Sequence, residues 1–313
     1  MNAMILLFIS AVSADAVLEL DPAMEYQTIE HFGASDCWSM QKIGVWSQES
    51  KDRVADLLFS TTTGIGLSCW RFNLGGGINH ERIKHPWRTV ETFEVGEGQY
   101  DWTRQSGERW FLRADKARNV PYFLAFVNSP PARMTRSGFT NGSRDAGSTN
   151  LKEGYEPAFA RYLADILKHF RENPDESERV AFDYISPFNE PHLFWNEGEG
   201  QEGNRASNRT IKAVVNALYD ELQRRGLKPG IRVPESNSYY VMCNRDAIPS
   251  GLYKETYGNY IEDFCTDASV NAKIGKTLCA HGYGSCLLKG VFVESRQRLR
   301  AKFDQYPGWK FWQ

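Results

Sequence analysis

Short apolar runs ending in polar tips alternate along the chain with longer stretches whose apolar residues recur every three or four positions. The short runs read as buried strands, at residues 66–74, 121–126, 182–186, 231–235 and 276–281. Another opens at His31 and leads into a polar-aromatic loop at 36–38, and a last one starts at Trp309. Between them the spacing predicts helices over 47–59 (Val54, Leu57 and Leu58 on one face, Ser47 as cap), 106–118, 155–170, 209–225, 252–265 and 291–303. Residues 78–105, 137–150 and 196–208 read as loops, and 17–20 and 26–32 as two further strands.

Strict alternation of strand and helix predicts a parallel α/β architecture. No Gly-rich dinucleotide turn follows the first strand, and Gly75-Gly76-Gly77 lacks the Lys-Ser/Thr ending of a phosphate loop, so neither nucleotide fold fits. Several runs end in chemistry. Residues 182–188 are capped by Asn189-Glu190-Pro191, where Pro191 stops the ladder; 231–235 ends in Glu235, and 276–281 in His281. Carboxylates and amides at the C-terminal tips of parallel strands are the pattern of a (β/α)8 barrel. Counted from His31, the strands number seven, the last incomplete. The expectation is therefore a TIM barrel interrupted in its seventh strand.

Composition changes this picture little. With 41% hydrophobic and 24% charged residues and a net charge of −2, the chain offers no electrostatic case for nucleic acid or an anionic membrane surface. Nine Trp and fourteen Tyr suit either sugar stacking or a core. The apolar run Ala3 to Val12, followed by small residues, reads as a secretory signal peptide over 1–16, cleaved after Ala14 or Ala16, which implies a secreted or periplasmic protein. It is too short to span a bilayer. The six Cys show no metal spacing and no scaffold density.

Six segments, in order, resemble glycoside hydrolase family 30: residues 32–39 (FGASDCWS), 64–73 (GIGLSCWRFN), 123–131 (FLAFVNSPP), 184–191 (YISPFNEP), 201–203 (QEG) and 306–313 (YPGWKFWQ). The resemblance implies a retaining (β/α)8 β-glycosidase needing neither metal nor cofactor. It places the general acid/base on Glu190 and a 2-hydroxyl contact on Asn189. A retaining enzyme sets a second carboxylate roughly 5 Å away to attack the anomeric carbon. The family pattern carries it just past a segment like 310–313, so the chain is expected to be a C-terminally truncated piece of a longer product. Residues 17–30 would then be the first strands of a side β-domain. Glu235 is the rival for the missing role, or else lines the cleft or caps a polar network.

By the same resemblance Arg71 orients or charge-stabilises the nucleophile, and Asn128 gives the −1 subsite a sugar-binding amide. His281 and Tyr283 match a sixth-strand pattern, though a structural His fits as well. Asp36 and Trp38 are candidates to bind and stack on sugar and Trp195 to form a plus-side platform; a place in the core or at the surface suits all three equally. The expected substrate is a β-linked polysaccharide, with the motifs closest to the β-1,6-galactanase and β-1,6-glucanase branches. Xylanase or glucosylceramidase-like activity is the alternative within the family. Outside catalysis, the alternative is a carbohydrate-binding remnant.

Overall fold

The computed structural model describes residues 19, 21–142, 148–195, 200–245, 255–283 and 289–313. The chain divides into two units, residues 1–30 and 31–313. The signal-peptide segment and most of 17–20 lie outside the described residues. In the rest of the first unit residues 22–23 make a turn and no strand forms, which corrects the expected strand over 26–32. Tyr26 and Ile29 are exposed there, so the apolar alternation buries nothing.

In the second unit seven parallel wall positions follow one another. β1 (Gly33–Ser35), β2 (Cys69–Asn73), β5 (Tyr122–Phe126), β6 (Tyr184–Ser186) and β7 (Gly230–Ile231) make one sheet in that order. β8 (Val233–Ser236), β9 (Thr277–Ala280) and β10 (Lys310–Trp312) make the next. β7 and β8 are one strand interrupted at Arg232, beside Pro234, which has no N–H for a ladder. Every pair among these strands is parallel. Among the described residues β1 and β10 are not hydrogen-bonded to each other, so the wall is a barrel-like sheet that is not closed.

Helices lie between the strands: α1 (Met40–Ile43), α2 (Gln48–Phe59), α3 (Ser106–Ala117), α4 (Glu156–Glu172), α5 (Asn208–Arg224), α6 (Tyr239–Cys243), α7 (Tyr260–Cys265) and α8 (Lys289–Phe303); the spacing predicts all but the short α1 and α6. Ser47 caps α2 through its hydroxyl, which accepts from the Ser50 N–H, a contact worth about 1 kcal/mol. In α5, Ile211, Val214, Val215, Leu218 and Leu222 all turn inward, each contributing roughly 2 kcal/mol of apolar burial. Of the predicted helix over 252–265, residues 252–254 lie outside the described residues, and the helix among the rest is α7. Gly258 and Asn259 both take positive φ (81° and 49°), which ends any helix running through them. The loop expected at 78–105 contains a hairpin, β3 (Glu94–Gly96) and β4 (Gln99–Tyr100), turned by Gly98 at φ 67°.

The two faces of each strand divide the labour. On β2, Trp70 and Phe72 point out to the helices. Trp70 meets Phe59 edge-on at 4.9 Å and Phe72 meets Phe170 at 5.6 Å. The opposite face carries Cys69, Arg71 and Asn73. Cys69 joins Leu124 and Phe126 in a small inner cluster packed by Cys37, Tyr184 and Trp312. The outer layer holds the fold; the inner face is left for polar groups at the tips. No helix among the described residues is long and apolar enough to cross a membrane.

Candidate active site

The inner face of β2 places Arg71 below the tips of β6 and β8. Its guanidinium stacks on the Phe126 ring at 3.2 Å, which fixes the plane of the fork. One terminal nitrogen donates to the Asn189 Oδ1 at 3.0 Å and also pairs with the Glu235 carboxylate. An amide whose oxygen is taken by Arg71 has its Nδ2 left to donate, the group a sugar hydroxyl oxygen accepts.

Glu190 and Glu235 end neighbouring strands and are both buried. Each takes positive φ, 48° and 55°, a conformation costing a non-glycine residue on the order of 1–3 kcal/mol. The Glu190 N–H donates to the Glu235 carbonyl at 2.8 Å, so each strained turn supports the other. His281, just past β9, joins the side chains. Its Nδ1 lies 2.8 Å from Glu190 Oε1 and its Nε2 3.1 Å from Glu235 Oε2. Burial pulls the imidazole pKa down, but the two carboxylates outweigh it and raise it above the ordinary value. For Glu235, burial pushes upward; Arg71 and His281 win, holding the pKa at about 2. Glu235 is therefore a fixed anion.

Glu190 is also held through one oxygen, but by different partners. Oε1 also receives the Asn237 Nδ2–H at 3.1 Å, so both contacts fall on one oxygen. Among the described residues nothing donates to Oε2. That arrangement anchors the carboxyl by Oε1 and leaves Oε2 open. Tyr283 stands beside the site, its ring 5.1 Å from His281, with most of its surface exposed.

The remaining sequence candidates fall elsewhere. Asn128 is buried beyond β5, its Nδ2 donating to Asn73 Oδ1 at 3.2 Å and to the Cys37 thiol at 3.5 Å. Asp36 is a correction. It is 1% exposed, and both its oxygens accept from the Asn73 N–H, at 3.1 and 2.9 Å, so it latches the tip of β1 to β2. Burial, with Glu108 nearby, raises its pKa well above the ordinary value. Trp38 follows on the same turn, half-buried. Trp195 is a second correction: at 3% exposed it offers no open platform, and its Nε1–H donates to the Glu190 carbonyl at 3.1 Å. Sequence reasoning missed Asn237, which only its place two residues past Glu235 could have flagged. It also missed a role for Glu202, a wholly buried carboxylate in the segment after β6.

Comparison with known proteins adds to this geometry. Residues 15–313 match the model of O-glycosyl hydrolase family 30. The chain is 29% identical over 342 residues to an endo-β-1,6-galactanase of Hypocrea rufa, the alignment covering 98% of this chain and 69% of that protein. Among solved structures, a conserved exported protein from Bacteroides fragilis superposes with a TM-score of 0.80 at 31% identity, over 93% of this chain and 61% of that one. An endo-β1,6-glucanase shares the fold with a TM-score of 0.69 at 19% identity, over 93% of this chain and 58% of that one.

Proposed function

The chain belongs to glycoside hydrolase family 30, and from that premise we propose that it forms the catalytic site of a retaining β-glycosidase acting on β-1,6-linked galactan. Glu190 is the general acid/base. The observation that carries this reading is the set of partners on its carboxyl: Glu235 pairs with the Arg71 guanidinium, whereas Asn237 and His281 hold Glu190 by Oε1, and Oε2 is left to pass a proton to the leaving oxygen. In the second half of the reaction the same oxygen takes a proton from water. Asn189, its Oδ1 fixed by Arg71, presents Nδ2 to the sugar 2-hydroxyl.

Glu235 keeps the site's charge. Bound by Arg71 and His281 through Oε2 and held at a pKa of about 2, it is a weakly basic anion already paired with a guanidinium. The attacking carboxylate is instead the one the family pattern carries after β10. Support for the galactan comes from the likeness to the Hypocrea rufa endo-β-1,6-galactanase. Support for export comes from the likeness to the exported Bacteroides protein and from the apolar leader.

The test is a panel of β-1,6-galactan, β-1,6-glucan, xylan and glucosylceramide, digested by the full-length protein and followed by proton NMR. The expected result is cleavage of the galactan with the β-anomer formed first. Cleavage of another member alone would overturn the substrate, and an initial α-anomer would overturn the retaining mechanism.

A further inference from the structure

Trp195 meets Glu190 through the main chain. Its indole N–H and the Leu193 N–H, both at 3.1 Å, satisfy the Glu190 carbonyl, while Glu235 holds the Glu190 N–H. Trp195 is thus the one side chain among these holds on the Glu190 backbone. The ring is pressed onto Gly203: a Cβ there would lie 2.0 Å from Cδ2 and 2.3 Å from Cγ, so only glycine admits the contact. Trp195 itself takes φ 51°, a conformation that persists only where its surroundings impose it.

The surface behind the ring is itself tied down. The Gly203 N–H donates to the Thr140 carbonyl at 2.9 Å and the Glu202 N–H to the Arg88 carbonyl at 3.0 Å. The Glu202 carboxylate accepts from the Val90 N–H at 2.7 Å, from Thr89 Oγ1 at 3.3 Å and from the Gly76 N–H at 3.5 Å. Three residues on, the Ala206 N–H donates to the Pro191 carbonyl at 2.9 Å. The segment 202–206 therefore fastens the loops after β2 and β5 to the turn that carries Glu190.

We propose that Trp195 is a positioning residue for Glu190: seated on Gly203, its indole N–H fixes the left-handed backbone that aims the Glu190 carboxyl at the leaving oxygen. This rests on the reading of Glu190 as the acid/base. A carboxyl swung off line by about 1 Å loses proton transfer without losing substrate binding.

The experiment compares Trp195→Phe, Gly203→Ala and Glu190→Gln in the full-length enzyme, on β-1,6-galactan and on a dinitrophenyl glycoside of the same glycan, whose leaving group needs no proton. Trp195→Phe keeps a ring but removes the donor. The expected result is a kcat/KM about tenfold lower on galactan, and less than about a twofold change in kcat/KM on the dinitrophenyl substrate, whose glycosylation step needs no acid. Equal losses of kcat/KM on both substrates, or none on galactan, would overturn the proposal. Should Glu190→Gln also leave galactan turnover intact, the acid/base reading falls; should Glu190→Gln be inactive while Trp195→Phe is normal, only the positioning role falls. If Trp195→Phe does not fold, Gly203→Ala is expected to show the same split. Failure of both to fold would make the contact structural and overturn the proposal.

Discussion

The Glu190 N–H donates to the Glu235 carbonyl at 2.8 Å, and the two residues share a positive φ at the tips of adjacent strands. Two strained turns that brace each other place two carboxylates against one imidazole, from which they receive different treatment. Glu235 shares one oxygen between Arg71 and His281. Glu190 is held by one oxygen and, among the described residues, pairs with no cation but His281. Those partners make Glu235 a fixed anion, and the proposed role of Glu190 as proton carrier rests on the difference.

Removing Arg71 strands an anion. Arg71→Met leaves Glu235, 4% exposed, with His281 as its one counter-charge among the described residues. The expected cost is about 3 kcal/mol or more in urea unfolding at neutral pH. A cost below about 1 kcal/mol would show that the pair contributes nothing net.

The His281 bridge has a pH window. The raised imidazole pKa gives stability fully present below the unfolded value of 6.5 and lost as pH rises through the folded one. The depressed Glu235 pKa gives stability present above the unfolded value of 4.5 and lost as pH falls toward about 2. The difference in unfolding free energy between wild type and His281→Asn is thus expected to peak between pH 4.5 and 6.5. A difference that grows steadily above pH 7 would contradict the bridge.

Glu202 works in the opposite sense. Burial raises its pKa to about 8, so its stabilising contribution is present below 4.5 and lost as pH climbs to about 8. Glu202→Gln is expected to gain on wild type across that range, as read by Tm at pH 5 and pH 8. An unchanged gap between the two pH values would mean that Glu202 is ionised throughout.

Asp36 belongs to the scaffold. Asp36→Ala leaves the buried Asn73 N–H without its acceptor, an expected loss of roughly 1–3 kcal/mol in denaturant titration. A variant as stable as wild type but with a raised KM would return Asp36 to the sugar site.

The wall was legible because period-two alternation is strong where one face meets helices and the other a polar interior. Trp70 and Phe72 against Arg71 and Asn73 show it on β2. The strand tips announced Glu190, Glu235 and His281, and the structure brings them together with Arg71 and Asn189. What the sequence hid depends on contacts between distant segments. The apolar residues of 26–32 looked like a strand but bury nothing, and Trp195 looked like a platform because its burial is decided by Gly203, eight residues on. Asp36 looked like a ligand because nothing local says that its carboxyl faces the Asn73 N–H. The hairpin at 94–100 was missed inside a polar stretch, where Gly98 alone marks the turn.

The most direct measurement is the rate of β-1,6-galactan hydrolysis by Glu190→Gln in the full-length protein, with circular dichroism to show that the variant folds. The glutamine keeps an oxygen for Asn237 and His281 but cannot donate an acidic proton. The account predicts a kcat lower by about 10²–10⁴-fold. A folded Glu190→Gln that turns over galactan at the wild-type rate would contradict it, and the proton would then come from another group.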